Sequence, residues 1–341
     1  MSMIMRCKGC GAVLQTVEKE KVGYALSLDH EYCQSCYRLL HYGESSIHFH
    51  PEDLPSLPEN SLILMISSVL HLDLLFSHPV WRYQSEAKFI YIINQIDLLP
   101  KDTNLEMLLQ NIIKKVKLMQ VPYEDIILMS AKNPYDIDHL KQYVQSFTSQ
   151  NIYLLGVQNS GKTTLFKALT NDNKALAFKK AGLTQEALEG MFDDQKIIDM
   201  PGLYQSGYLH HLLPYTVYKK LIPDQEIHPK IYTLNQGQTV FIEGLVAVTL
   251  TTETQPVVFY LDRNIRMHKT NEKRIHELLE NKEEQFKIYA DAYEEKGFRI
   301  PESKMQITLA DMGFVHIVGP CHVKIVYPKG FHLSLSEALF Q

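Results

Sequence analysis

Apolar residues occur along this chain in two patterns. Short unbroken runs appear at Leu62-Ile63-Leu64-Met65-Ile66, Phe89-Ile90-Tyr91-Ile92-Ile93, Ile126-Ile127-Leu128-Met129, Ile152-Tyr153-Leu154-Leu155 and Ile197-Ile198. Such runs, too short for helices and without alternation, predict strands buried on both faces. Between them apolar residues recur at helical spacing, predicting helices from the end of the first run to about Tyr83, over Asn104–Leu118, over Ile137–Phe147 and over Thr164–Leu169. Strand and helix in alternation predict an α/β domain. From about Tyr215 the pattern changes. Strand-like runs crowd together at Thr239–Ile242, Val246–Leu250, Pro256–Tyr260, Phe314–Val318 and His322–Tyr327, with one charged stretch, Glu272–Glu295, that reads as helix. This predicts a β-rich α+β domain. The first fifty residues have little apolar content; Ala12–Thr16 and Tyr24–Leu26 predict at most a hairpin.

Composition narrows the picture. A chain of 341 residues accommodates two to three domains, and the division expected is 1–50, 51–214 and 215–341, with Pro51, Pro55 and Pro58 marking the first linker. No apolar run approaches the roughly 20 residues of a membrane span, and Cys7 comes before any apolar leader, so a cytoplasmic, membrane-free monomer is expected. The net charge of −5 argues against a globally basic nucleic-acid binder. Four of the five cysteines form two C-x-x-C pairs, Cys7/Cys10 and Cys33/Cys36. A tight turn brings residues i and i+3 onto one ion, so two pairs predict a closed Cys₄ shell for structural zinc. A redox dithiol is the alternative. His30, His41, His48 and His50 lie nearby, solvated or packed by default.

The chemistry-bearing stretch is Gly156-Val157-Gln158-Asn159-Ser160-Gly161-Lys162-Thr163, set between a strand and a helix. The spacing G-x-x-x-x-G-K-T lets backbone N–H groups from Gly156 to Thr164, Ser160 and Gly161 included, turn around a phosphate chain at a helix N-terminus. Lys162 reaches the β- and γ-phosphates, and Thr163 holds Mg²⁺. The second strand ends in Asn94-Gln95-Ile96-Asp97, which resembles the guanine-reading N-K-x-D of GTPases. There the aspartate accepts the N1–H and exocyclic amine of guanine, and adenine leaves it unpaired. Gln95 stands where the lysine is usual. Ser130-Ala131-Lys132, after the third strand, resembles the companion base loop. Thr184 lies where a switch threonine binds Mg²⁺, although Ala181-Gly182-Leu183 departs from the usual residues before it. Asp199-Met200-Pro201-Gly202 resembles D-x-P-G: Asp199 for Mg²⁺, the Gly202 amide for the γ-phosphate. Leu203 follows where many GTPases carry a water-orienting glutamine, so slow hydrolysis is expected.

All five elements are present, but the base-reading pair precedes the phosphate loop. This order, the cysteine pairs and the C-terminal β domain resemble the YqeH-type circularly permuted GTPases. The resemblance implies a circularly permuted P-loop domain with a mostly parallel six-stranded sheet, flanked by a zinc finger and a β-rich domain. It implies a GTP/GDP switch in small ribosomal subunit assembly, with precursor rRNA or ribosomal protein as partner. It also implies that Asn159 supports catalysis through a potassium ion. Lys162, Thr184, Gly202 and Asn159 are then the catalytic candidates. Arg263, Arg266, His268, Lys269, Lys273 and Arg274 form a basic run in a mildly acidic domain (13 Lys and Arg against 16 Asp and Glu over 221–341), open to reading as a solvated helix start or an RNA contact. Cys321 is expected in the core. Two rivals stay open: an ATP-dependent P-loop kinase, disfavoured by Asn94 and Asp97, and a scaffold that holds nucleotide without turnover.

Overall fold

The structure, a computed structural model, describes residues 5–7, 13–17, 24–34, 37, 49–149, 151–170 and 187–340. Residues divide into two compact units: 1–97 with 105–205, and 98–104 with 206–341.

The first unit is built on a six-stranded sheet in the order β3-β2-β1-β4-β6-β5. Its strands are β1 (Leu62–Ser68), β2 (Lys88–Asn94), β3 (Asp125–Leu128), β4 (Asn151–Leu155), β5 (Leu188–Phe192) and β6 (Gln195–Asp199). All pairings are parallel except β5 with β6. The sheet is therefore mixed, with one antiparallel edge. Alternate residues of the apolar runs face opposite sides. Leu62, Leu64, Ile66, Ile90, Ile92, Ile152 and Leu154 share a core with Ile137, Leu140 and Val144 of α2 (Pro134–Gln145) and Leu165, Phe166 and Leu169 of α3 (Lys162–Thr170). Helix α1 (Leu105–Met119) buries Leu108, Ile112 and Val116 at helical spacing. Helix α2 starts where Asn133 accepts the Tyr135 N–H, with proline in the first turn.

The helix expected up to about Tyr83 is not formed. That segment holds two 3₁₀ turns, Val69–His71 and Val80–Arg82. Ser68 caps the first by accepting the Leu70 N–H at 3.1 Å, and Pro79 bars helical backbone at His78. Near the N-terminus, Gln15 and Tyr24 form an isolated parallel bridge rather than the antiparallel pairing of a hairpin.

The second unit contains two five-stranded antiparallel sheets, ordered β16-β13-β14-β10-β7 and β11-β8-β9-β15-β12. Strands β7 (Lys230–Leu234), β10 (Gln255–Leu261), β13 (Lys304–Leu309), β14 (Gly313–Val318) and β16 (Leu333–Glu337) make the first. Strands β8 (Gln238–Ile242), β9 (Val246–Leu250), β11 (Met267–Asn271), β12 (Tyr293–Ile300) and β15 (Cys321–Pro328) make the second. The region is β-rich as the pattern predicts, but Glu272–Glu295 is not one helix. It holds a 3₁₀ turn, two short helices α6 (Ile275–Glu280) and α7 (Lys282–Gln285), and the start of β12. Helices α4 (Leu209–Leu212) and α5 (Tyr215–Tyr218) precede the sheets. The basic run divides between elements: His268 and Lys269 lie on β11, whereas Lys273 and Arg274 lie in the 3₁₀ turn that leads into α6. Cys321 is buried as expected.

Candidate nucleotide site

Strands β1 and β4 are adjacent, yet the chain travels from β1 outward to β3 before returning to β4. Chain direction across the sheet thus reverses between β1 and β4, and in open α/β sheets a crevice outside the strand ends at that point receives ligands. The G-x-x-x-x-G-K-T loop emerges from β4 there. Gly156 (φ +151°) passes so close to β1 that a Cβ would lie 2.0 Å from the Ile66 carbonyl oxygen. Gly161 (φ +88°) presses on the base-reading segment, where a Cβ would lie 2.2 Å from Asn94 Nδ2. Asn159 also has positive φ, +65°. The loop curls back on its own strand, leaving both glycine positions closed to any side chain.

Asn94 fastens three loops. Its Nδ2 donates to the Ser160 carbonyl at 2.9 Å, and its Oδ1 accepts the Ala131 N–H at 2.9 Å. Gln95, at φ +65°, donates from Nε2 to the Asn159 carbonyl at 3.3 Å. The amide therefore reaches the phosphate loop without bringing a charge. Asp97 is oriented by two residues of the companion loop: Ser130 Oγ donates to Oδ1 at 2.7 Å, and Lys132 Nζ pairs with Oδ2 at 2.8 Å. The expectation for Ser130-Ala131-Lys132 concerned backbone N–H groups; the structure adds these side-chain supports. Asp136 accepts the Ser130 N–H at 2.8 Å, a contact no motif announced.

At the phosphate end Lys162 is buried, its Nζ donating to the Gly156 and Val157 carbonyls at 3.1 and 3.4 Å. Burial pushes its pKa down, and the Asp199 carboxylate opposes that shift. Asp199 is fully buried, and burial pushes its pKa up against the attraction of Lys162 and the Thr163 hydrogen bond. Thr163 Oγ1 donates to Asp199 Oδ2 at 2.7 Å. Asp199 Oδ1, Ser160 Oγ, Asn159 Nδ2 and Gln158 Oε1 are buried with no hydrogen-bond partner among the described residues. Each such atom costs about 1–3 kcal/mol, so four of them around one lysine mark a site completed by a polar ligand. The residues fit a nucleotide phosphate chain with a divalent cation, which supply charge neutralisation when bound. Thr164 is exposed in the first turn of α3, and Gly202 lies against Gln158, where a Cβ would come within 2.8 Å of Cγ. Thr184 lies outside the described residues.

Cys7 and Cys33 are both buried, and Cys7 Sγ accepts the Cys33 N–H at 3.1 Å. Cys10 and Cys36 lie outside the described residues. Among the described residues no group of three or more His, Cys, Asp or Glu side chains is placed to hold a metal, and no helix is long and apolar enough to cross a membrane.

The family described as 50S ribosome-binding GTPase matches residues 151–290. Over 98% of both chains, the sequence is 24% identical to the uncharacterized protein YqeH of Bacillus subtilis. This similarity supports a YqeH-type GTPase. A GTP-binding protein of Arabidopsis thaliana, brassinazole insensitive pale green 2, chloroplastic, is 26% identical over 53% of this chain and 30% of its own length. The uncharacterized GTP-binding protein MJ1464 of Methanocaldococcus jannaschii is 30% identical over 35% and 31%. The GTPase-domain match implies binding of GTP or GDP with Mg²⁺.

Proposed function

We propose that the chain is a GTP-hydrolysing switch that acts in ribosome assembly on the small subunit or its precursor. The observation that carries this reading is Asn94, which ties the base-reading loops to the phosphate loop and so makes one nucleotide-shaped site from residues 94–97, 130–132 and 156–163. Asp97, presented by Ser130 and Lys132, reads guanine. Lys162 neutralises the β- and γ-phosphates. Thr163, Thr184 and Asp199 hold Mg²⁺, and the Gly202 amide senses the γ-phosphate. Asn159 holds a potassium ion that stimulates hydrolysis. The match over residues 151–290 starts at β4 and leaves the base-reading segments upstream, which supports a circularly permuted domain. Cys7, Cys10, Cys33 and Cys36 hold zinc. The protein works as a cytoplasmic monomer whose cysteine module and β-rich unit contact rRNA or ribosomal protein.

The matching family is described by binding to the 50S ribosome, so both subunits belong in the test. The full chain is sedimented with isolated 30S and 50S subunits in the presence of GDP or a non-hydrolysable GTP analogue. Cosedimentation with the 30S subunit that depends on the analogue is expected; association with the 50S subunit alone would overturn the small-subunit assignment. A second reading, a nucleotide-holding scaffold without turnover, draws on Leu203, whose aliphatic side chain is wholly buried and cannot orient water. A turnover assay with and without subunits separates the two.

A further inference from the structure

The segment that follows Asp199 is gripped from two sides within the first unit. Leu203 donates its N–H to the Gly156 carbonyl at 3.0 Å, and Tyr204 donates to the Phe49 carbonyl at 2.7 Å. Leu203 forms isolated parallel bridges with both Val157 and Phe49. Its side chain lines a cavity with Ile66, Leu74, His71, His78 and Gly156. The remaining backbone group of Tyr204, its carbonyl, faces His78 Nε2 at 3.0 Å. The His50 ring packs edge-on to Tyr204, with centroids 5.6 Å apart.

A carbonyl only accepts, so His78 Nε2 carries the hydrogen. Its Nδ1 meets Ser77 Oγ at 3.0 Å. Burial holds the pKa of His78 below the usual histidine value, the bond to Tyr204 opposes that shift, and His50 adds to it. The neutral Nε2–H ring thus bonds to Tyr204 without a buried charge. His78 reaches this place from the loop that the expected helix failed to occupy, between the two 3₁₀ turns.

We propose that His78 is a positioning residue for GTP hydrolysis: by holding the Tyr204 carbonyl it fixes the Gly202-Leu203 backbone against the phosphate loop. The proposal rests on the reading of Gly202 as the amide that senses the γ-phosphate. His78 bonds to neither the phosphate loop nor the base-reading residues, so its role is confined to the step that uses the Gly202 segment.

The test uses the full chain with His78→Leu and His78→Gln, reading single-turnover GTP hydrolysis and the affinity for a fluorescent GDP. Loss of one hydrogen bond that orders the reacting state is expected to slow hydrolysis by His78→Leu about three- to tenfold while GDP affinity stays within about twofold. His78→Gln, whose amide offers an N–H donor to the same carbonyl, recovers most of the rate. Wild-type rates in His78→Leu, or equal losses of rate and GDP affinity in both variants, would overturn the proposal. If the unaltered protein binds GDP but never turns over GTP, the functional reading itself fails, which is a distinct result.

Discussion

Each unit buries a cluster of polar side chains, and the two clusters are finished differently. In the first, Lys162, Asp199, Ser160 and Asn159 are brought together with buried atoms left over that no described residue satisfies. In the second, His316, Gln306 and Thr308 pair with one another: His316 Nε2 lies 3.1 Å from Gln306 Oε1, and Gln306 Nε2 donates to Thr308 Oγ1 at 3.3 Å, so that of these three side chains His316 Nδ1 alone is left without a partner among the described residues. Aromatic rings of Tyr260, Phe314 and Phe340 wall that cluster in. Thr239 and Thr249 close a similar pair at 2.8 Å on the neighbouring sheet. The difference teaches that buried polarity alone does not mark a binding site. What marks it is polarity that the fold assembles and leaves incomplete at several atoms together, because each unmade bond is expensive unless a ligand makes it.

The sharpest way to break this contrast is Lys162→Ala. It removes the buried cation among these leftover polar atoms, and GTP turnover is expected to fall about 10²–10³-fold in a multiple-turnover phosphate-release assay. A turnover unchanged by that substitution would mean the cluster is not a phosphate site. Next is Asp97→Asn, which exchanges an acceptor for a donor where guanine presents two N–H groups. GTP affinity is expected to drop about a hundredfold or more, with xanthosine triphosphate now preferred in direct competition.

The cluster of the second unit answers to pH instead. Burial, with Lys304 adding to it, pushes the His316 pKa down to about 3 from 6.5. The unfolded chain therefore binds the proton first. The stabilisation is fully present above pH 6.5 and is lost as pH falls from there toward 3. Between pH 7 and pH 5 this residue alone is expected to cost about 2 kcal/mol of unfolding free energy. Urea unfolding of His316→Phe should show a shallower pH slope by that amount; parallel slopes would show that the ring is not held neutral. The smallest effect belongs to the water-facing ion pairs. Lys324 bridges Glu272 and Glu295 at the surface. Lys324→Met should change stability by less than about 1 kcal/mol, and a larger change in the same unfolding series would blur the line between surface and cluster.

Much of the first unit was legible because its inner strands are buried on both faces and write unbroken apolar runs, as at Leu62–Ile66 and Phe89–Ile93. The strands that escaped reading were mostly edges. Strands β5, β7, β11, β12 and β16 each end a sheet, and their side chains meet water at alternate or most positions. Glu294, Glu295 and Lys296 on β12 look like a charged helix face for this reason. Such charge discourages edge-to-edge association. At the site, motif spacing singled out Asn94, Asp97, Lys162, Thr163 and Asp199, because phosphate and guanine would impose fixed chemistry on short segments. It could not identify His78, Phe49 or Asp136, whose roles arise from contacts across the fold and carry no local signature.

One consequence follows from the two bonds of Asn94. A single amide cross-links the loops at residues 94, 131 and 160, so the site is held by ties running transverse to the chain. Covalent continuity contributes little to its geometry. The backbone can visit those loops in any sequence and still present the same surface to a nucleotide. The linear order of motifs is therefore free to serve another purpose, namely which segment of the protein leaves the site next to Tyr204.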